Sequence, residues 1–171
     1  MTEPFSATVS RMGLQLEPLQ TARLRLEPIS TDSARAILAG DLSGLTAAEG
    51  WPHEDTADGL RMAVKGGHPP GWLITADGTV IGDAGIHGPV DEAGGVEIGY
   101  GLAAPWRGQG YGSEAVAAIT EWLLSVPEVR RVHARTLTSN APSRRVLEKA
   151  DFQFVGIDDE EAVYQRFPSA S

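Results

Sequence analysis

Apolar and polar-or-small residues alternate through Val96-Glu97-Ile98-Gly99-Tyr100-Gly101-Leu102, the period of a strand with one covered face. The period then changes. Across Ser113–Leu124 the apolar residues stand at 115, 116, 119, 122 and 123, the spacing of a helix that buries one side. Pro127 marks the stop of that helix. Upstream, Trp72–Thr75 and Thr79–His87 read as strands around Ala76-Asp77-Gly78, where Asp-Gly predicts a hairpin turn. Downstream, Arg130–Leu137 reads as a strand, and Asn140 predicts a helix cap with Pro142 in the tolerated first turn. Phe152–Ile157 and Ala162–Phe167 predict a closing hairpin. Thr31 to about Leu42 and Asp58–Lys65 read as short helices around a Gly- and Pro-punctuated stretch holding Trp51-Pro52-His53. Strands and helices in alternation, with hairpins at both ends, predict an α/β (α+β) fold: a mixed, largely antiparallel sheet flanked by helices.

Residues 1–20 contain proline and serine and read as a loosely held N-terminal extension, leaving 21–168 as one domain. Within that extension Leu14-Gln-Leu-Glu-Pro-Leu19 echoes Leu24-Arg-Leu-Glu-Pro-Ile29. Two readings stand: an extra edge strand pairing with the first, or chance similarity.

Composition narrows the classes. A chain of 171 residues with 42% apolar residues and four tryptophans can bury a core without staples. With no cysteine, disulfides, thiolate metal sites and an acyl-cysteine intermediate are excluded. Apolar runs fall short of the roughly 20 residues of a bilayer span, and the N-terminus lacks a signal-peptide pattern, so a cytoplasmic protein with no membrane partner is expected. The formal charge of −9 disfavours nucleic acid. It suits a cationic substrate, and equally it serves plain solubility. A polyanionic ligand would need local donors to overcome that field.

Such donors are present in Arg107-Gly108-Gln109-Gly110-Tyr111-Gly112, which opens directly into the helix at Ser113. Glycines at every second position let a ligand reach the backbone amides. The helix start offers unpaired N–H groups and the positive end of its dipole, which predicts a phosphate or pyrophosphate cradle. Gly99 and Gly101 in the preceding strand predict a bulge or a close backbone approach by a ligand. A diphosphate at the loop and an amide-bearing arm along a bulged strand describe coenzyme A.

Here the residues resemble a family. Arg107-x-x-Gly110-x-Gly112 is similar to the acyl-CoA signature of the GNAT superfamily of N-acetyltransferases. Thr21-Ala-Arg-Leu-Arg-Leu26 resembles the family's first strand, and Ile81–Gly88 its third. Asn140-Ala-Pro-Ser143 with Glu148-Lys149 and Phe152 is similar to a segment of the branch that holds the ribosomal-protein N-terminal acetyltransferases. Asp151 stands where that branch has glycine; aspartate tolerates the left-handed backbone. The resemblance spans about residues 21–167. It implies acetyl-CoA as co-substrate, with Leu102, Arg107, Gly108, Gln109, Gly110, Tyr111, Gly112, Ser113 and Asn140 as the residues that bind it. It also implies that the segment of about 40–70 walls the acceptor pocket.

Direct acetyl transfer to an amine needs a neutral nitrogen, a polarised thioester carbonyl and a proton or hydrogen bond for the departing thiolate. Deprotonating lysine at pH 7 costs roughly 3–4 kcal/mol more than deprotonating an α-amine. Glu97 is the expected base, on the strand flanking the thioester, and His87 is the alternative. The superfamily's usual leaving-group tyrosine position holds Leu147, so the resembling branch points instead to Ser143. A backbone N–H between Tyr100 and Leu102 is expected to polarise the carbonyl. The expected acceptor is a primary amine, on a protein N-terminus or a small molecule, and a homodimer is compatible with all of this. A metal is not expected, since the four histidines show no ligand spacing. Two rival readings are a non-catalytic acyl-CoA-binding module and a dinucleotide-binding enzyme. Against the second, the loop is separated from its strand by Ala103–Trp106, and Arg130–Leu137 holds no acidic residue for a ribose.

Overall fold

A computed structural model describes residues 14–169. Its elements run β1 (Leu19–Gln20), β2 (Arg25–Pro28), α1 (Thr31–Leu38), α2 (Glu54–Gly66), β3 (Trp72–Ala76) and β4 (Thr79–Ile86). Then follow β5 (Gly95–Leu102), α3 (Tyr111–Ser125), β6 (Arg131–Leu137), α4 (Ala141–Lys149), β7 (Gln153–Asp158) and β8 (Glu161–Arg166). The strands form one eight-stranded sheet in the order β1-β2-β3-β4-β5-β6-β8-β7. All neighbours are antiparallel except β5 and β6, so the sheet is mixed and largely antiparallel, as its sequence pattern predicts.

The parallel pair explains how a site opens. β5 pairs with β6 only over Gly95–Glu97, whereas it pairs with β4 from Ile98 to Leu102. Beyond Glu97 the two central strands part company and leave a wedge between them. The expected bulge in β5 is corrected here: its register with each neighbour is continuous, and the irregularity is a change of partner. A parallel strand reached by a crossover helix diverges without needing an extra residue.

Helix α3 supplies that crossover. Ala115, Val116, Ile119 and Leu123 are buried, while Trp122 sits at the core's margin with its ring edge-on to Trp72 at 5.7 Å. They meet Val96, Ile98 and Leu102, the covered face of β5, in one continuous core. Helix α2 begins at Glu54, four residues before its expected start. His53 caps it by accepting from the Thr56 N–H, and histidine is a poor sequence signal for a cap. Helix α1 ends at Leu38, short of the expected Leu42, with Gly40 in the left-handed region at φ 84°. Asp151 takes the left-handed conformation expected of it, at φ 68°.

The echo in the N-terminal segment resolves as an edge strand. Leu19 and Gln20 pair antiparallel with Leu26 and Arg25. The first strand therefore begins at Arg25 rather than Thr21, and Thr21–Leu24 form the connecting turn. Residues 14–20, expected to be loosely held, lie on the core: Leu14 is buried and Trp72 Nε1 donates to the Glu17 carbonyl at 2.8 Å. Residues 1–13 of the expected extension lie outside the described residues. Trp72 thus joins the sheet, α3 and the N-terminal segment, and is fully buried. Trp72→Ala is expected to lower unfolding free energy by about 3–5 kcal/mol in chemical denaturation.

Candidate active site

Three residues of 3₁₀ helix, Ala104–Trp106, carry the chain from β5 to the glycine loop. Arg107 then turns back, its Nε donating to the Leu102 carbonyl at 3.0 Å, which fixes the guanidinium at the mouth of the wedge. Gly110 is the residue immediately before α3 and has φ 86°, so the loop enters the helix through a left-handed step that a side chain would strain. The first N–H groups of α3 have no partner within the helix and face outward from its start.

A cavity of about 740 Å³ lies on this loop. Leu102, Arg107, Gly108, Gly110, Gly112 and Ser113 line it on one side, and Asn140 and Ser143 of the α4 start line it on the other. Seven of the nine expected cofactor residues therefore gather in one place. Gln109 and Tyr111 do not line it: the Gln109 amide donates to the Pro105 carbonyl at 3.1 Å. The Tyr111 ring packs between Trp106 and the Arg23 guanidinium, 5.8 and 4.2 Å away. Alternate positions of a turn point to alternate sides, so their side chains buttress the loop from outside. The Ser113 hydroxyl bonds the Val146 carbonyl at 3.3 Å and ties α3 to α4. Asn140 caps α4 by accepting from the Ser143 N–H at 3.1 Å. The wall also carries Arg145 and Lys149, so an acidic chain places three cations, with Arg107, around this cavity.

Behind the wedge lies a second cavity of about 350 Å³. It shares Tyr100, Gly101, Asn140, Ser143, His53 and Asp55 with the first, so the two meet at a doorway on β5. On one side of that doorway the Tyr100 hydroxyl lies 2.8 Å from Ser143 Oγ and 3.1 Å from the Ser143 carbonyl. Burial pushes the Tyr100 phenol up to about 12, so it remains protonated and acts as a donor. Its side chain was not read as functional from the sequence, because a tyrosine in an alternating strand looks like any half-covered strand residue.

On the other side stand two imidazoles. A Cβ on Gly99 would meet the His87 ring at 2.7 Å, and one on Gly101 would meet the His53 ring at 2.8 Å. The strand glycines do mark a close approach, and the approaching groups are histidines. Further along the same face Glu97 lies between His87 Nδ1, 3.5 Å away, and His133 Nε2, 3.7 Å away. His133 first and His87 second hold its carboxyl at about 2, against the opposing effect of burial. Glu97 contributes to the wall of neither cavity. Glu97, expected as the base, is held between two imidazoles and lies off both cavity walls, an arrangement that lowers its basicity. His87, which Glu97 holds, lines the second cavity.

Sequence reading also missed Asp83. Trp51 Nε1 and Thr56 Oγ1 both donate to its Oδ2, at 2.8 and 2.6 Å. Burial pushes the Asp83 carboxyl above its ordinary value, and these two bonds only partly offset that. The available signal was a charged residue inside the otherwise apolar strand Val80–Ile86. Its partners are Trp51, in the irregular segment before α2, and Thr56, in the first turn of that helix, and neither position carries a readable period. Among the described residues, no group of three or more His, Cys, Asp or Glu is placed to hold a metal ion.

The family described as acetyltransferase (GNAT) domain matches residues 23–153. The chain belongs to this family and is an acetyl-CoA-dependent acetyltransferase. It is 31% identical to the uncharacterized N-acetyltransferase YjdG of Bacillus subtilis, over 78% of this chain and 88% of that one. Its fold is similar to that of Mycobacterium smegmatis RimJ in complex with a CoA disulfide, with a TM-score of 0.61 at 21% identity over 88% of this chain and 86% of that one. It is also similar to the apo form of the ribosomal L7/L12 α-N-protein acetyltransferase RimL, with a TM-score of 0.64 at 17% identity over 91% and 100%.

The clamp on Glu97 has a thermodynamic consequence. Its carboxyl titrates below the ordinary 4.5, so the stabilisation is complete above that value and is lost as pH falls toward about 2. Glu97→Gln is expected to flatten the fall of wild-type stability across that window, measured as the denaturation midpoint at each pH. An unchanged slope would remove the clamp.

Proposed function

We propose that this chain transfers the acetyl group of acetyl-CoA directly to a primary amine, with residues 21–168 acting as one catalytic unit. The observation that carries the reading is the doorway: a cavity with a glycine loop and three cations opens, beside Tyr100 and Ser143, into a smaller cavity edged with carboxylates. The first suits a diphosphate-bearing ligand, with Arg107 and the α3 N–H groups holding the anion and Asn140 and Ser143 facing the reactive end. The second carries Asp55, Asp58 and Asp83, which favour an ammonium over a neutral or anionic acceptor. A non-catalytic acyl-CoA-binding module has no use for the second cavity. Both cavities are walled by one chain, so the reading requires no second copy.

Ser143 stands where the leaving sulfur needs help. Tyr100 has one proton to give, and when it goes to Ser143 Oγ the serine proton is free to point into the cavity. With its phenol near 12, Tyr100 is a weaker acid than a thiol, which titrates at about 8.5. The pair therefore stabilises the developing thiolate by hydrogen bonding rather than by losing a proton outright. Glu97 does not take the amine's proton; an imidazole on the acceptor face does. The cytoplasm, where acetyl-CoA is available, is the compartment this reading implies. Protein N-termini are the acceptor named for the RimL structure, and small amines fit the cavity's volume equally.

Two substitutions test the two ends. Arg107→Glu is expected to weaken acetyl-CoA binding at least about tenfold in calorimetry, since it replaces a cation by an anion at the phosphate. Ser143→Ala is expected to lower kcat by about 10- to 100-fold, the value of one hydrogen bond to a charged group, with acetyl-CoA affinity little changed. Wild-type kcat in Ser143→Ala would end the leaving-group role.

A further inference from the structure

Two cations on the larger cavity, Arg145 and Lys149, stand apart from the glycine loop. They line it together with Pro142 and Val146, at offsets of three, four and seven residues along α4, so all four share one stripe of that helix. Val146 seats the stripe on the loop. A Cβ on Gly112 would meet Val146 Cγ2 at 3.3 Å, and the Ser113 hydroxyl bonds the Val146 carbonyl at the same distance. Arg145 and Lys149 therefore flank the point where α4 touches the start of α3.

Their lack of partners is at odds with the charge of the chain. It has 23 acidic residues against 14 lysines and arginines, so carboxylates to pair with are in excess. Arg23, Arg61, Arg135 and Arg166 each face one. Arg144, the next residue on α4, bonds the Tyr164 hydroxyl at 2.9 Å and the Thr138 carbonyl at 3.1 Å. Glu148, which lies between the two cations in sequence, accepts from the Tyr164 hydroxyl at 3.0 Å. Among the described residues, neither Arg145 nor Lys149 has an ion-pair partner. The carboxylates on this cavity, Glu54 and Asp55, belong to the start of α2, and Asp55 also borders the acceptor cavity. Two long, unpaired cations one helical turn apart, about 6 Å along the axis, can close on a single doubly charged anion.

The cavity also has a direction. Its doorway end holds Asn140 and Ser143 at the α4 start, and Lys149 lies about 9 Å further along that helix at 1.5 Å per residue. Coenzyme A is polar in the same sense. Its thiol ends one arm, its diphosphate lies inward of the other end, and its terminal ribose carries a 3′-phosphate monoester of about −1.5 to −2 charge. With the thioester at the doorway and the diphosphate on the glycine loop beside Arg107, one anionic group of the ligand is left over. Arg145 and Lys149 are the arginine and lysine left over on the wall.

We propose that Arg145 and Lys149 form a second anion seat on the cofactor cavity, taking the 3′-phosphate of coenzyme A, so that the chain selects acetyl-CoA over acetyl-dephospho-CoA. The proposal rests on the reading that lays the diphosphate on the glycine loop and the thioester at the doorway. The two seats divide the ligand's charge. Arg107 and the α3 N–H groups take the diphosphate, which is the same in both ligands, while α4 reads the monoester that only one of them has. An exposed cation gains little from one exposed carboxylate. Two cations on one dianion gain more, because the diphosphate has already fixed the ligand's position and their encounter is intramolecular.

The test is calorimetric titration of the full chain with acetyl-CoA and with acetyl-dephospho-CoA, and it reads the ratio of the two affinities. Wild type is expected to bind acetyl-CoA at least about tenfold more tightly, which two exposed contacts to one dianion supply together. In the double variant Arg145→Gln with Lys149→Gln, where glutamine keeps the helix, the ratio is expected to fall to within about twofold of one. Arg107→Gln is expected to weaken both ligands alike and to leave the wild-type ratio. A wild-type ratio near one, or a ratio that survives the double substitution, overturns the proposal and leaves the glycine-loop seat intact. Undiminished affinity for both ligands in Arg107→Gln overturns the glycine-loop seat, and with it the placement that assigns the monoester to α4.

Discussion

The parting of β5 from β6 is the constraint on which the rest of this structure depends. Backbone N–H and C=O groups in a sheet interior must be paired, and a strand that loses its neighbour leaves them unsatisfied. Here β5 keeps its antiparallel partner through Leu102 while its parallel partner leaves after Glu97. One edge of the strand is thereby released in the middle of the protein, where it can be paired by an extended ligand. The two faces of the same segment then do different work. Tyr100 reaches α4 and the Ser143 hydroxyl, whereas Gly99 and Gly101 present bare backbone to two imidazoles. On the proposed function, alternation along the strand separates the leaving-group side from the acceptor side by a single residue.

Electrostatics sort the same way. The chain carries a formal charge of −9, a poor beginning for holding a diphosphate. Coulomb energy falls with distance and exposed charges are screened within about 10 Å, so three cations on one cavity wall outweigh a distant excess of carboxylates. The excess is not idle, because Asp55, Asp58 and Asp83 edge the acceptor cavity. On the proposed function, a cationic acceptor is drawn to one chamber and an anionic cofactor to the other, and they meet at the doorway.

Much of this was legible in the sequence. The period of Val96–Leu102 and of Ser113–Leu124 placed the strand and helix that frame the loop, and Asn140 marked the start of α4. Loop glycines and Arg107 could be read because backbone geometry and charge leave residue-type signatures. What escaped was the acceptor side. His53 and Thr56 sit together at the α2 start, but Asp83 is 27 residues beyond Thr56, and they meet only because α2 is capped by an atypical residue and packs over β4. The surroundings of Glu97 escaped for a related reason. Its place in a strand was readable, but a carboxylate's basicity depends on the histidines brought beside it from the end of β4 and from β6, and no local pattern reports them.

The N-terminal segment shows how such a loop is kept in shape. Glu114 lies in the first turn of α3, where a negative charge favours the helix but opposes a bound phosphate. Thr21 and the backbone and side chain of Arg23 converge on its carboxylate, and Arg23 Nη1 also bonds the Gln109 carbonyl at 3.1 Å. Burial disfavours the charge on Glu114, yet these bonds outweigh burial and keep the carboxyl below its ordinary value. The turn between β1 and β2 is thus fastened to both the glycine loop and the helix it opens. Left-handed glycines give the loop its shape but no rigidity, since glycine has the most backbone freedom to lose. An outside clamp that neutralises Glu114 and grips Gln109 supplies that rigidity, and it does so without occupying the face that the loop turns toward the cavity.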